Sequence, residues 1–226
     1  MKLGGFGVGR WFGFPIRIDA SWFVVFALVT WTFAAWELPS ELPGRPTPYY
    51  LTIGAVAALL LFLSVLLHEL AHSIVARSRG IPVGGLTVFI FGGVAEMTME
   101  ARTPADEFAL TIAGPLVSMT LAEAFALLVF AGSSTGLEPV AVLGGTLAWL
   151  NMVLAVFNMV PAFPLDGGRI LRAVIWRLTG NLGVATRIST FVGRAFGWVL
   201  ILSGLMLFLA SFRVAGLQGG QISGAW

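Results

Sequence analysis

The chain has 226 residues, 58% of them hydrophobic and only 11% charged, against about 25% charge in an ordinary soluble domain. Its net charge is +2 and it has no cysteine, which excludes disulfides, thiolate metal sites and the basic footprint of a nucleic-acid binder. Long apolar runs place it among polytopic helical membrane proteins, with the lipid bilayer as solvent.

The first apolar segment covers 20–38 and follows a stretch containing Lys2, Arg10 and Arg17. That leader is long and the run is rich in Trp and Phe, which argues for a retained helix over a cleaved signal peptide. Further segments cover 50–77, 107–131, 139–160 and 187–212. The stretch 81–99 is β-branched and aromatic with paired glycines, and it reads as a short membrane-associated hairpin or sheet between helices. Residues 168–180 carry Arg169, Arg172 and Arg177 and read as an amphipathic interfacial helix. The expected fold is therefore all-α and polytopic, with five to six transmembrane helices and one small β element. The tryptophans at 22, 31, 36, 149, 176 and 198 fit interfacial belts.

Eleven Lys and Arg residues fall on one side of this topology and two, Arg45 and Arg213, on the other. The positive-inside rule then places the N-terminus in the cytoplasm of a multi-pass cell-membrane protein, with the second and fourth helices ending near the cytoplasmic face.

The second segment contains His68-Glu69-Leu70-Ala71-His72, which holds both histidines of the chain. On a helix, i and i+4 share a face, so two imidazoles can hold one Zn²⁺. Glu69 stands about 100° round the helix, where its carboxylate can take the proton of a water acidified by the metal. A structural polar patch is the plain alternative. An ionisable trio in a run such as Leu60-Leu61-Phe62-Leu63 costs several kcal/mol unless it is used or paired, which favours the metal.

Catalytic zinc commonly takes three protein ligands. With no cysteine and no third histidine, the third must be Asp or Glu. Asp166 is the best placed, because Pro161 and Pro164 break the helix before it and Gly167-Gly168 lets the chain turn after it. Irregular backbone at membrane depth is tolerated where it lines a cavity. His68 lies nine residues before Arg77, roughly 14 Å from the basic boundary, a depth compatible with Asp166. Glu123 is the competing acid, but it lies toward the opposite face and fits an interhelical hydrogen bond or partial solvation better. Asn158, two turns before Asp166, can donate to a developing oxyanion or simply join helices.

These residues resemble the site-2 protease family of intramembrane zinc metalloproteases. The resemblance rests on His68 to His72 together with Asn158-Met159-Val160-Pro161-Ala162-Phe163-Pro164-Leu165-Asp166-Gly167-Gly168-Arg169. It extends to Gly13-Phe14-Pro15-Ile16-Arg17-Ile18, Phe89-Ile90-Phe91-Gly92-Gly93-Val94-Ala95 and Ala113-Gly114-Pro115-Leu116-Val117-Ser118. It implies one zinc per chain on His68, His72 and Asp166, water activation by Glu69, and assistance by Asn158. It also implies a single-pass transmembrane protein substrate, commonly an anti-sigma factor or a membrane-tethered transcription regulator. Asp19 stands where the family often has His. The family implies a six-helix core, often followed by CBS domains. Here five spans precede Trp226 and no CBS domain is visible, so 1–226 is expected to be one protease core, cut before or lacking a sixth helix. The 81–99 hairpin is expected to hold an unwound substrate by β-augmentation. A zinc-binding transporter or an inactive homologue is the alternative. A transporter shows repeated halves and a polar path across the membrane, absent from the first, third and fifth helices, and an inactive homologue loses the carboxylate that Glu69 supplies.

Overall fold

The structure is a computed structural model that describes residues 5–89, 92–97 and 99–222. It divides into two compact units, 1–160 and 161–226.

The first unit opens with strands β1 (Gly5–Trp11) and β2 (Phe14–Asp19). They form an antiparallel hairpin whose pairing shifts between Gly7 and Gly9, and its turn places Phe12 at φ 49° and Gly13 at φ 86°. Helix α1 (Ser21–Thr32) follows, then a π-helical turn over Phe33–Glu37 and a short α2 (Leu38–Glu41). Asp19 accepts hydrogen bonds from the Ser21 hydroxyl at 2.6 Å and the Ser21 N–H at 2.9 Å. These bonds, the hydroxyl first, hold its carboxyl below the usual carboxylate range.

Helix α3 (Thr47–Ser78) has 32 residues, a length of about 48 Å that exceeds the hydrocarbon thickness of a bilayer. It stops at Gly80, in the left-handed region at φ 72°. Strands β3 (Val83–Phe89) and β4 (Gly92–Met97) form the expected hairpin. The hairpin is half of a larger sheet ordered β1-β2-β3-β4, in which β2 and β3 run parallel with Ile16 opposite Leu86. The N-terminal half of this sheet was not anticipated. Glycines at 5, 7, 9 and 13 erase the alternating pattern of a strand, and a parallel partner seventy residues away leaves no local trace.

Helix α4 (Pro104–Thr135) begins with Thr103 as N-cap, its side chain accepting from the Asp106 N–H, and Pro104 at the first helical position. Arg79 bridges to Asp106 at 2.9 Å and ties the end of α3 to the start of α4. After Gly136, at φ 72°, helix α5 (Glu138–Asn158) packs back along α4. Phe14, Ile16 and Leu86 of the sheet bury against Leu70 of α3. Phe33, Ala34 and Leu38 bury against Tyr50 and Ala57 at the other end of α3. There the Tyr50 hydroxyl donates to the Leu42 carbonyl at 2.7 Å.

The second unit holds α6 (Asp166–Thr179) and α7 (Leu182–Ile222), which pack on each other. Among the described residues, five helical stretches are long and apolar enough to cross a membrane, as the apolar segments require. Trp31, Trp36, Trp149 and Trp198 are exposed as belt residues should be. Trp176 is half-buried, and Trp22 departs outright. It is buried and stacks with Phe26 and Phe62, so it belongs to the core and not to a belt.

Candidate metal centre

Ser64, His68 and His72 recur every fourth residue and are all buried, so one stripe of α3 is polar inside an otherwise apolar helix. Burying such groups without partners costs about 1–3 kcal/mol each, and each has one. The His72 Nδ1 lies 2.7 Å from the Leu110 carbonyl. A carbonyl only accepts, so Nδ1 carries the proton and Nε2 carries the lone pair, the arrangement of a metal-ligating histidine. The His68 Nδ1 lies 2.8 Å from the Ser118 hydroxyl, which orients that ring through the same nitrogen. Both partners come from α4, two turns apart, and the rings of His68 and His72 stand 4.9 Å apart and nearly perpendicular.

The space opposite the two Nε2 atoms is kept by Gly114. A Cβ there would meet the Nε2 of His68 and of His72 well inside contact distance. Gly114 precedes Pro115, which brings no N–H to its own turn of α4. The donor set, two buried imidazoles whose Nε2 atoms both face a cradle that any side chain would fill, fits a tetrahedral N/O metal such as zinc. A second glycine does the same for Glu69. A Cβ on Gly93 of β4 would lie 2.5 Å from the Glu69 Cγ, so the strand backbone passes directly over the carboxylate stem.

Asn158 is the last residue of α5, and its amide donates to the Leu154 carbonyl one turn back at 3.0 Å. Asp166 is the first residue of α6 in the second unit, directly after the Pro161–Leu165 break. Glu123 is exposed on α4, in keeping with its exclusion from the site.

The family model described as peptidase family M50 matches residues 56–141 and 133–200. The chain belongs to this family. A Synechocystis protein provisionally named a zinc metalloprotease is 41% identical over 198 residues, 87% of this chain and 51% of that one. A Mycobacterium tuberculosis protein similarly named, Rip3, is 37% identical over 222 residues, 97% of this chain and 54% of its own. The chain thus spans about half the length of the curated relatives it matches. Among solved structures, a site-2 protease from Methanocaldococcus jannaschii matches with a TM-score of 0.60 and 29% identity. That match covers 91% of this chain and 87% of the other. The resemblance read from the motifs is borne out, and a multi-pass membrane protein of the M50 family is the consistent description of fold and sequence.

Within this M50 chain the geometry explains motifs that were legible only as resemblance. Ala113 to Ser118 carries the cradle glycine and the hydroxyl that orients His68. Phe89 to Ala95 carries the glycine that admits Glu69. Neither Ser118 nor the Leu110 carbonyl was singled out from sequence. Thr111, Gly114 and Ser118 do form a small and polar stripe at helical spacing on an apolar span. The carbonyl partner has no residue signature at all.

Proposed function

We propose that the chain is the core of a zinc metalloendopeptidase that cleaves transmembrane protein segments within the bilayer. The observation that carries the reading is the buried His68 and His72 pair, each ring held by Nδ1 and both presenting Nε2 to the Gly114 gap. His68, His72 and Asp166, each offering one ligand atom, would hold one ion per chain. Zinc, when bound, supplies Lewis acidity that polarises a carbonyl and acidifies water.

The chain's own groups supply the rest. The Glu69 carboxylate takes a proton from the attacking water and delivers it to the departing amide nitrogen. The Asn158 amide has two N–H donors. One is engaged by Leu154, and the other serves the oxygen that gains charge. β4, whose backbone Gly93 lays over Glu69, offers a strand to an unwound segment. Proline substitution along β4 is expected to slow cleavage with metal content unchanged. Equal rates would remove the strand from the mechanism. The distribution of basic residues supports a cytoplasmic N-terminus in the cell membrane and a cut near the cytoplasmic side. A site of that kind suits regulated release of an anti-sigma factor or a membrane-tethered regulator.

The test is cleavage of a reporter transmembrane segment in vesicles, with metal content measured on the same samples. Asp166→Ala is expected to lose both zinc and cleavage. Zinc retained at one ion per chain in this variant would take Asp166 out of the ligand set, and undiminished cleavage would overturn the reading.

A further inference from the structure

The loop that leads into Asp166 is short of backbone donors, because Pro161 and Pro164 have no N–H to give. The Leu165 N–H donates to the Ala162 carbonyl at 2.9 Å, and the Gly168 N–H donates to the Leu165 carbonyl at 3.1 Å. Both bonds lie between the loop and the first turn of α6, and neither reaches α7.

Close packing ties the loop to that second helix. A Cβ on Gly168 would stand 2.5 Å from the Phe163 nitrogen and 2.6 Å from the Ala162 carbonyl carbon. A Cβ on Gly193 of α7 would stand 2.9 Å from the same nitrogen and 3.4 Å from the Ala162 Cα. Two backbones, one at the start of α6 and one within α7, therefore meet at the single peptide between Ala162 and Phe163. Ala162 is buried there, and the Arg172 guanidinium lies 5.5 Å over the Phe163 ring.

The face of α7 that makes this approach is built from small residues. Ala185 and Ser189 precede Gly193 at four-residue spacing and are wholly buried, whereas Ile188, Phe191 and Trp198 are exposed. The approach ends at the next position of the series, since a Cβ on Gly197 would meet nothing within 4 Å. Two glycines one turn apart thus differ sharply in surroundings, and only the first lies against the loop.

Phe163 stands three residues before Asp166 and Gly168 two after it, so a shift of this peptide passes directly into the residue between them. Restoring an ordinary contact around a side chain at position 193 would move the peptide by about 0.5 Å, which is the whole tolerance of a productive site. We infer that Gly193 is a positioning residue for Asp166, given the reading of Asp166 as the third metal ligand. α7 then takes part in the metal centre without contributing a ligand.

Cobalt(II), a spectroscopic substitute for zinc, is titrated into the metal-free full chain to read affinity and ligand set together. Gly193→Val is expected to lower affinity by about 10–100-fold, the usual cost of losing support for a ligand. At saturating cobalt its visible spectrum should match that of Asp166→Ala. Gly197→Val, the same exchange in open space, is expected to keep the wild-type affinity and spectrum. In an Asp166→Ala background, Gly193→Val should change affinity by less than about twofold, because both substitutions remove one interaction. Gly193→Ala adds only a methyl and improves helix propensity. It should show a smaller loss with the same dependence on Asp166, and it carries the test if the valine variant does not fold. Equal losses with and without Asp166 would overturn the inference, as would wild-type affinity in both Gly193 variants. Unchanged affinity in Asp166→Ala is a distinct result that would overturn the ligand reading itself, and the positioning role with it.

Discussion

Glu69→Gln is expected to lower cleavage of a transmembrane reporter by about 10²–10⁴-fold, the usual contribution of a positioned general base, while one zinc per chain is retained. The substitution keeps the shape of the side chain and removes only its ability to hold a proton. Shape matters here because the Gly93 backbone leaves almost no slack over the Glu69 Cγ, so a bulkier or branched replacement would disturb β4 as well as the chemistry. The metal pair should be indifferent, since His68 and His72 are oriented from α4 and not by residue 69. The informative measurement is single-turnover cleavage at saturating substrate beside metal content. Cleavage at the wild-type rate would sink the assignment of Glu69 as base, and loss of zinc would mean that residue 69 supports the ligands instead.

Gly114→Ala should produce the complementary failure, a fall in zinc affinity of more than about hundredfold. Loss of a group that merely orients a ligand costs 10–100-fold, and this methyl would block both lone pairs directly. Either the rings swing away, breaking the contacts to Leu110 and Ser118, or α4 retreats and withdraws both partners together. Stability offers a control, because alanine is favoured over glycine inside a helix by about 1 kcal/mol. A general loss of folding is therefore not the expected result. Competition titration against a zinc chelator, with thermal unfolding of the same protein, reads the two effects separately. Wild-type affinity in Gly114→Ala would show that the nitrogens do not converge on that gap.

The spans and the His68 to His72 motif were legible because hydropathy and helical spacing are local properties of a chain. The same locality explains what was missed. β2 finds its partner β3 across helices α1 to α3, and its strand character is concealed by Pro15 and the neighbouring glycines. Trp22 carries the composition of an interfacial anchor, yet Phe26 of α1 and Phe62 of α3 pack against it, and only the tertiary contact reveals that. Glycines 93 and 114 were visible as motif letters, but their meaning lies in what approaches them. A residue that works by lacking a side chain has no chemical signature of its own.

One buried contact outside the metal centre bears on how the helices reach their places. Asn151 of α5 is wholly buried and donates to the Ser64 hydroxyl of α3 at 3.2 Å and to the Leu147 carbonyl at 2.9 Å. Such bonds contribute only about 0.6–2 kcal/mol each in a membrane, too little to hold a bundle together. They are large enough to discriminate between orientations. Rotating α5 by one residue, about 100°, would swing the amide out into the lipid and leave the Ser64 oxygen without its donor. The pair thus acts as a rotational key, favouring one setting of α5 against α3 over its neighbours independently of the metal ligands.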